Sequence, residues 1–171
     1  MMKEIKKCLF LIDVQYGFIS GKTEYVLPRI NNLMNRKDFD FIIASKFINT
    51  KNGPYVKYMN WHRLMDEKET KLYEPIEEKA DLIIEKNIYT GIGNEVLKFI
   101  KNNNIDKIYL AGIDTDCCVL KTAVDFFEFG IRSYVLEYYS ASNGGLESHQ
   151  AALTVLRRLI GEDSIIRGQL K

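Results

Sequence analysis

Short apolar runs alternate with segments of helical spacing along this chain, and that alternation restricts the fold more than any other feature. The runs are "CLFLIDV" (8–14), "FDFIIASKF" (39–47), "ADLIIEK" (80–86), "DKIYLAGI" (106–113) and "RSYVLEYY" (132–139). Each is rich in β-branched and aromatic residues and nearly continuous, which marks parallel strands covered on both faces. Between them the spacing predicts helices over 24–36, 55–66, 92–103, 115–129 and 146–160, with Gly130 closing the fourth and Gly161 the fifth. Strands alternating with helices predict a doubly wound α/β sheet, with "SIIRG" (164–168) completing one edge. The one break in this pattern is 49–79, polar, aromatic and irregular, which is expected to pass over the sheet edge and can line a pocket.

With 171 residues and 46% hydrophobic content, the chain suits one domain spanning 1–171. A formal charge of +1 gives no global attraction to nucleic acid or an anionic membrane, so the expected partner is a small molecule. The apolar run of the amino-terminal stretch "MMKEIKKCLFLIDVQ" is too short for a signal peptide or a spanning helix. Three unevenly spaced cysteines make no disulfide framework, and a reducing, cytoplasmic setting is the expected one.

In doubly wound sheets ligands bind beyond the carboxyl ends of the strands, where strand order reverses. That rule selects Asp13 at the end of the first strand, Lys86 at the end of the third, and the adjacent Cys117 and Cys118 after the fourth. An acid, an amine and a thiol then share one crevice. Asp13 can serve as a general base, and Lys86 can hold a carboxylate and a thiolate together by charge. The thiols fall in what reads as the first turn of a helix, where free N–H groups and the helix dipole would stabilise a thiolate. Helical neighbours point about 100° apart, so at most one thiol is expected to face the crevice. The helical wheel places Val119, Ala123, Phe126 and Phe127 on the buried face and does not choose between the cysteines. The plainer alternatives are a packed cysteine, a capping aspartate and a solvated lysine.

His62 and His149 stand outside metal-ligand spacing and read as structural or pocket polar groups. "TGIGNE" (90–95) lacks the spacing of a phosphate loop and reads as a helix start. Among the aromatic residues, Tyr16, Phe18, Tyr55, Trp61 and Tyr89 are the candidates to contact a flat substrate.

Taken together, "FLIDVQYGF" (10–18), "IIEKNIYTG" (83–91) and "AGIDTDCCVLKTA" (111–123) resemble the isochorismatase-like cysteine hydrolases, which include nicotinamidases and N-carbamoylsarcosine amidohydrolase. The most specific piece is Gly-x-x-Thr-Asp-x-Cys-Val, here Gly112 to Val119. The resemblance implies a six-stranded, mainly parallel sheet in a three-layer α/β/α arrangement, and a catalytic triad of Asp13, Lys86 and Cys118. Cys117 then takes the variable place before the nucleophile and packs. A non-proline cis peptide between Ile113 and Asp114 is also implied, aiming the backbone N–H groups of Asp114 and Cys118 at an oxyanion. Members of the family usually self-associate, so a dimer or tetramer is expected, with the loop 55–61 reaching a neighbour.

Two departures narrow the implied function. The nicotinamidase branch holds a metal ion with an Asp-x-His and a further His after the second strand, whereas this chain has "ASKFINTKNG" there. No metal and no cofactor are therefore expected. Asp114 stands where the family often has a small apolar residue, and a carboxylate facing the pocket would disfavour anionic substrates. The expectation is a metal-independent cysteine hydrolase cleaving the C–N bond of a small amide through a thioester. Its rivals are an isochorismatase-type vinyl-ether hydrolase and a non-catalytic ligand-binding or redox-sensing thiol protein.

Overall fold

A computed structural model describes residues 4–170, so the first three residues of the amino-terminal stretch lie outside it. Six strands, β1 (Lys6–Ile12), β2 (Phe41–Phe47), β3 (Leu82–Lys86), β4 (Ile105–Ile113), β5 (Ser133–Ala141) and β6 (Ile165–Ile166), form one sheet in the order β3-β2-β1-β4-β5-β6. Every strand pairing is parallel. The chain winds outward from β1 to β3, then returns to place β4 against the other side of β1, so strand order reverses between β1 and β4.

β1 shows why the sheet is buried on both faces. Cys8, Phe10 and Ile12 point into one apolar cluster and Leu9 and Leu11 into another, as alternate side chains of a strand must. The first cluster is closed by Val96 and Ile100 of α5 (Asn94–Asn102), Ala123 and Phe126 of α6 (Leu120–Glu128), and Leu153, Leu156 and Ile160 of α7 (Leu146–Ile160). The second is closed by Val26, Ile30 and Leu33 of α1 (Val26–Met34) with Ile76 of α4 (Glu74–Lys79). Helices thus cover both faces. Among the described residues no helix is long and apolar enough to cross a membrane.

The structure corrects several expectations. Within 49–79 the chain forms α2 (Pro54–Met59), α3 (Glu67–Thr70) and α4 in place of an irregular loop. The helix expected over 55–66 stops at Met59 because Asn60 turns left-handed, with φ 52°. Residues 115–119 form a π-helical turn in which the Val119 N–H donates to the Asp114 carbonyl at 3.2 Å, and α6 proper starts only at Leu120. Phe127, expected on the buried face, is 57% exposed, while its neighbour Phe126 is fully buried.

Gly112 explains how β4 can lie so close to β1 at the crevice. It adopts φ 136°, and a Cβ there would stand 2.1 Å from the Ile12 carbonyl oxygen. Only glycine fits that approach.

Candidate active site

Asp13 follows β1 directly in a left-handed conformation, φ 50°, which aspartate tolerates better than most residues. Its N–H donates to the Ser45 carbonyl at 3.2 Å, and the Ser45 hydroxyl donates to Asp13 Oδ1 at 2.6 Å. Ser45 stands opposite Ile12 in the register of β1 and β2, so the hydroxyl meets the carboxylate as the strand ends. The carboxylate is fully buried.

Lys86 ends β3, two strands away, and its long stem brings the ammonium to Asp13. Nζ lies 2.7 Å from Asp13 Oδ2 and 3.5 Å from Cys118 Sγ, and it donates to the carbonyls of Ile88 at 2.9 Å and Tyr89 at 3.2 Å. Burial works against its charge, but Asp13 and Cys118 outweigh burial and hold its pKa above the ordinary lysine value. Among the described residues Asp13 Oδ2 has no hydrogen-bond partner besides this ion pair. Two strand ends and the turn after β4 thus gather Asp13, Lys86 and Cys118 at one place, just where the strand order reverses.

The thiols behave differently from the expectation. Burial, then the Asp13 carboxylate, push the Cys118 pKa well above 9.0, and Lys86 only partly offsets them. Burial also pushes Cys117 up to about 12. No α-helix N-terminus stands behind either thiol to favour a thiolate: α6 begins after them, and the Cys117 and Val119 N–H groups are spent on the Asp114 carbonyl. The prior rotation of about 100° between neighbours belongs to an α-helix. In the wider π turn both cysteines line the pocket, so Cys117 does not simply pack.

The peptide between Ile113 and Asp114 is cis, and the Asp114 N–H has no hydrogen-bond partner among the described residues. The turn is anchored from α7, where His149 Nδ1 meets Thr115 Oγ1 at 2.8 Å, and burial keeps the imidazole pKa below its usual value. It is anchored from below by Thr122, whose hydroxyl accepts from the Gly91 N–H at 2.8 Å. "TGIGNE" is a helix start, with Gly93 capping α5.

A pocket of about 180 Å³ opens over Cys118. Of the aromatic candidates, Phe18, Tyr55, Trp61 and Tyr89 line it, while Tyr16 does not. Gln15 bridges to Leu72 and fixes this stretch to the excursion, leaving the Tyr16 side chain 42% exposed. Phe47, Met59 and Asp114 also line the pocket. Sequence reasoning missed Phe47, which sits at the end of an otherwise core strand, and Met59, whose helix it placed without a face. It also missed three positioning residues. Gln15 donates to the carbonyls of Phe47 at 2.9 Å and Thr70 at 2.8 Å, and Asn49 donates to those of Trp61 at 2.9 Å and Arg63 at 3.1 Å, while Ser45 holds Asp13. An isolated polar residue at a strand end is the only signal that could have found them.

The residues present do not fit a metal ion. At and after the end of β2 the chain offers Phe47, a hydrocarbon ring under Lys86, and Asn49, whose amide group is committed to the excursion. Among the described residues no group of three or more His, Cys, Asp or Glu side chains is placed to hold one. His62 meets only Asn60 Oδ1 at 2.9 Å.

The isochorismatase domain model matches residues 7–162. A nicotinamidase of Acinetobacter baylyi is 27% identical over 79% of this chain and 81% of its own length. Isochorismatase family protein 1B of Dictyostelium discoideum is 38% identical over 79% of this chain, and the match spans 63% of that protein. The crystal structure of a pyrazinamidase/nicotinamidase from Streptococcus mutans superposes with a TM-score of 0.81 at 22% identity, covering 94% of this chain and 100% of that one.

Proposed function

The chain belongs to the isochorismatase family, and from that premise we propose that it is a metal-independent cysteine hydrolase cleaving the C–N bond of a small, planar amide. One observation carries the reading: Lys86 Nζ lies 2.7 Å from Asp13 and 3.5 Å from Cys118, beneath a pocket walled by aromatic rings. The nicotinamidase among its relatives supports the amide as substrate class.

Because the resting thiol is held neutral, attack needs a base at the moment of bond formation. Asp13 Oδ2, with a lone pair to spare, accepts the proton as Cys118 Sγ bonds to the carbonyl carbon. The oxyanion that forms is received by the N–H groups of Asp114 and Cys118, each such donor being worth ~3 kcal/mol of barrier. Lys86 holds the developing thiolate against Asp13 by charge. Collapse breaks the C–N bond, and the proton on Asp13 passes to the leaving nitrogen, leaving a thioester on Cys118 and a free amine or ammonia. Water gives a proton to Asp13 and attacks the thioester carbonyl, and the acid departs as the proton returns to Cys118 Sγ.

The rivals find less support. A vinyl-ether substrate of isochorismate type carries two carboxylates, and the pocket meets them with Asp114 and no free cation among its lining residues. A redox-sensing thiol needs a lowered pKa, and both cysteines are raised. Self-association belongs to the same reading, supported by Tyr58 and Met59 standing exposed on α2.

A panel of primary amides, carbamoyl compounds and isochorismate, read out by ammonia or pyruvate release, tests the proposal. Ammonia release from an amide that disappears in Cys118→Ala is the expected result. Pyruvate release that survives Cys118→Ala would overturn it in favour of vinyl-ether cleavage.

A further inference from the structure

The pocket over Cys118 has an uneven charge. Asp13 and Lys86 lie beneath it and neutralise each other at 2.7 Å. Of the residues that line the pocket, Asp114 alone carries a charge. Its Oδ1 accepts from the N–H of Asn143 at 2.8 Å and from Asn143 Nδ2 at 2.9 Å, while Oδ2 accepts from no described residue. Asn143 is itself fixed, donating to the Phe18 carbonyl at 2.9 Å and accepting from the Ser20 hydroxyl at 2.8 Å. The carboxylate is therefore aimed by a rigid partner that brings no positive charge.

The walls favour the same kind of ligand. Lys86 already occupies one face of Phe47, 5.1 Å from its centroid. Phe18 and Trp61 stack at 6.0 Å and 17°, and Tyr55 meets Tyr89 edge to face at 5.2 Å, which leaves aromatic surface turned to the cavity. The negative face of a ring attracts a cation, the more so where water is excluded.

We propose that the pocket selects an amide whose far end carries a positive charge, held between the aromatic walls and Asp114 Oδ2. The charge is kept here against stability, since burial lifts the Asp114 pKa to about 6, and a cationic ligand would offset that cost. The inference rests on the hydrolase reading only for the amide end of the ligand. The charge preference stands on the pocket alone.

Binding to the Cys118→Ala variant, measured by calorimetry at pH 7.5 with three flat amides of one shape, separates the two. The probes are the 1-methylnicotinamide cation, the neutral 3-methylbenzamide and the anionic 3-carboxybenzamide. The cation is expected to bind roughly tenfold tighter than the neutral probe, with the anion weakest. Asp114→Asn should erase most of that preference, and Trp61→Leu, which removes a ring and no charge, should lower it by a smaller factor. Equal binding of cation and neutral probe, absence of measurable binding by all three, or tightest binding of the anion overturns the inference. If the unmutated protein hydrolyses no amide while the cation preference holds, the hydrolase reading fails and this inference stands.

Discussion

The buried cluster at the sheet edge and the excursion above it are held by different means. Asp13 and Lys86 come from strand ends whose positions follow from the register of the sheet, and Cys118 from the π turn that follows β4, and their contacts run from 2.6 Å for Ser45 on Asp13 to 3.5 Å for Lys86 on Cys118. The pocket wall contributed by 49–79 is held by ring contacts of 5.1 to 6.1 Å and by a few side chains, such as Asn49, that grip its backbone. The Asp13–Lys86–Cys118 cluster sits at the sheet edge, and part of the pocket wall sits on the segment between β2 and β3.

Breaking the buried ion pair should have the largest effect. Lys86→Met leaves the Asp13 carboxylate buried without a counter-charge, which costs ~3–5 kcal/mol of stability and removes turnover. Urea denaturation at pH 7 measures it, and an unchanged midpoint would mean that the ion pair adds nothing to stability. Because the folded Lys86 pKa is raised, its contribution is full below 10.5 and is lost as pH rises through the folded value.

Loosening the excursion should do less, and in a different place. Asn49→Ala frees the Trp61 and Arg63 carbonyls. It is expected to raise KM for the amide by about fivefold with kcat nearly unchanged. A fall in kcat at constant KM would erase the distinction between the two regions.

The smallest effect lies where the regions meet. Asp114 has its pKa lifted from 3.8 to about 6, so its ionised form is disfavoured by folding and stability falls as pH rises from about 4 to about 6. Asp114→Asn should therefore be more stable than the parent at pH 7, by on the order of 1 kcal/mol, and lose that advantage toward pH 4. Thermal unfolding at both pH values checks the sign.

The sequence was most legible where periodicity and topology act together. Continuous apolar runs gave the strands, and the switch-point rule brought Asp13, Lys86 and the cysteine pair to one edge, with the family resemblance choosing Cys118, although 105 positions separate Asp13 from Cys118. It was least legible where one residue resets the backbone. Asn60 ends α2 just before Trp61, a helix end that the spacing does not announce, although Trp61 itself was legible as a pocket candidate. The π turn at 115–119 is equally silent in the pattern, yet it brings both thiols to the pocket, where burial raises their pKa. Thiol acidity was misjudged for that reason: burial beside Asp13 outweighs the neighbouring Lys86.

Trapping the acyl-enzyme asks most directly whether these side chains act together. The protein is mixed with an activated amide or ester, quenched in acid within the first turnover, digested and read by mass spectrometry. An acyl adduct on Cys118, retained in Cys117→Ala and absent from Cys118→Ala and Asp13→Asn, is the expected result. An adduct on Cys117, or full turnover by Cys118→Ala, would contradict it.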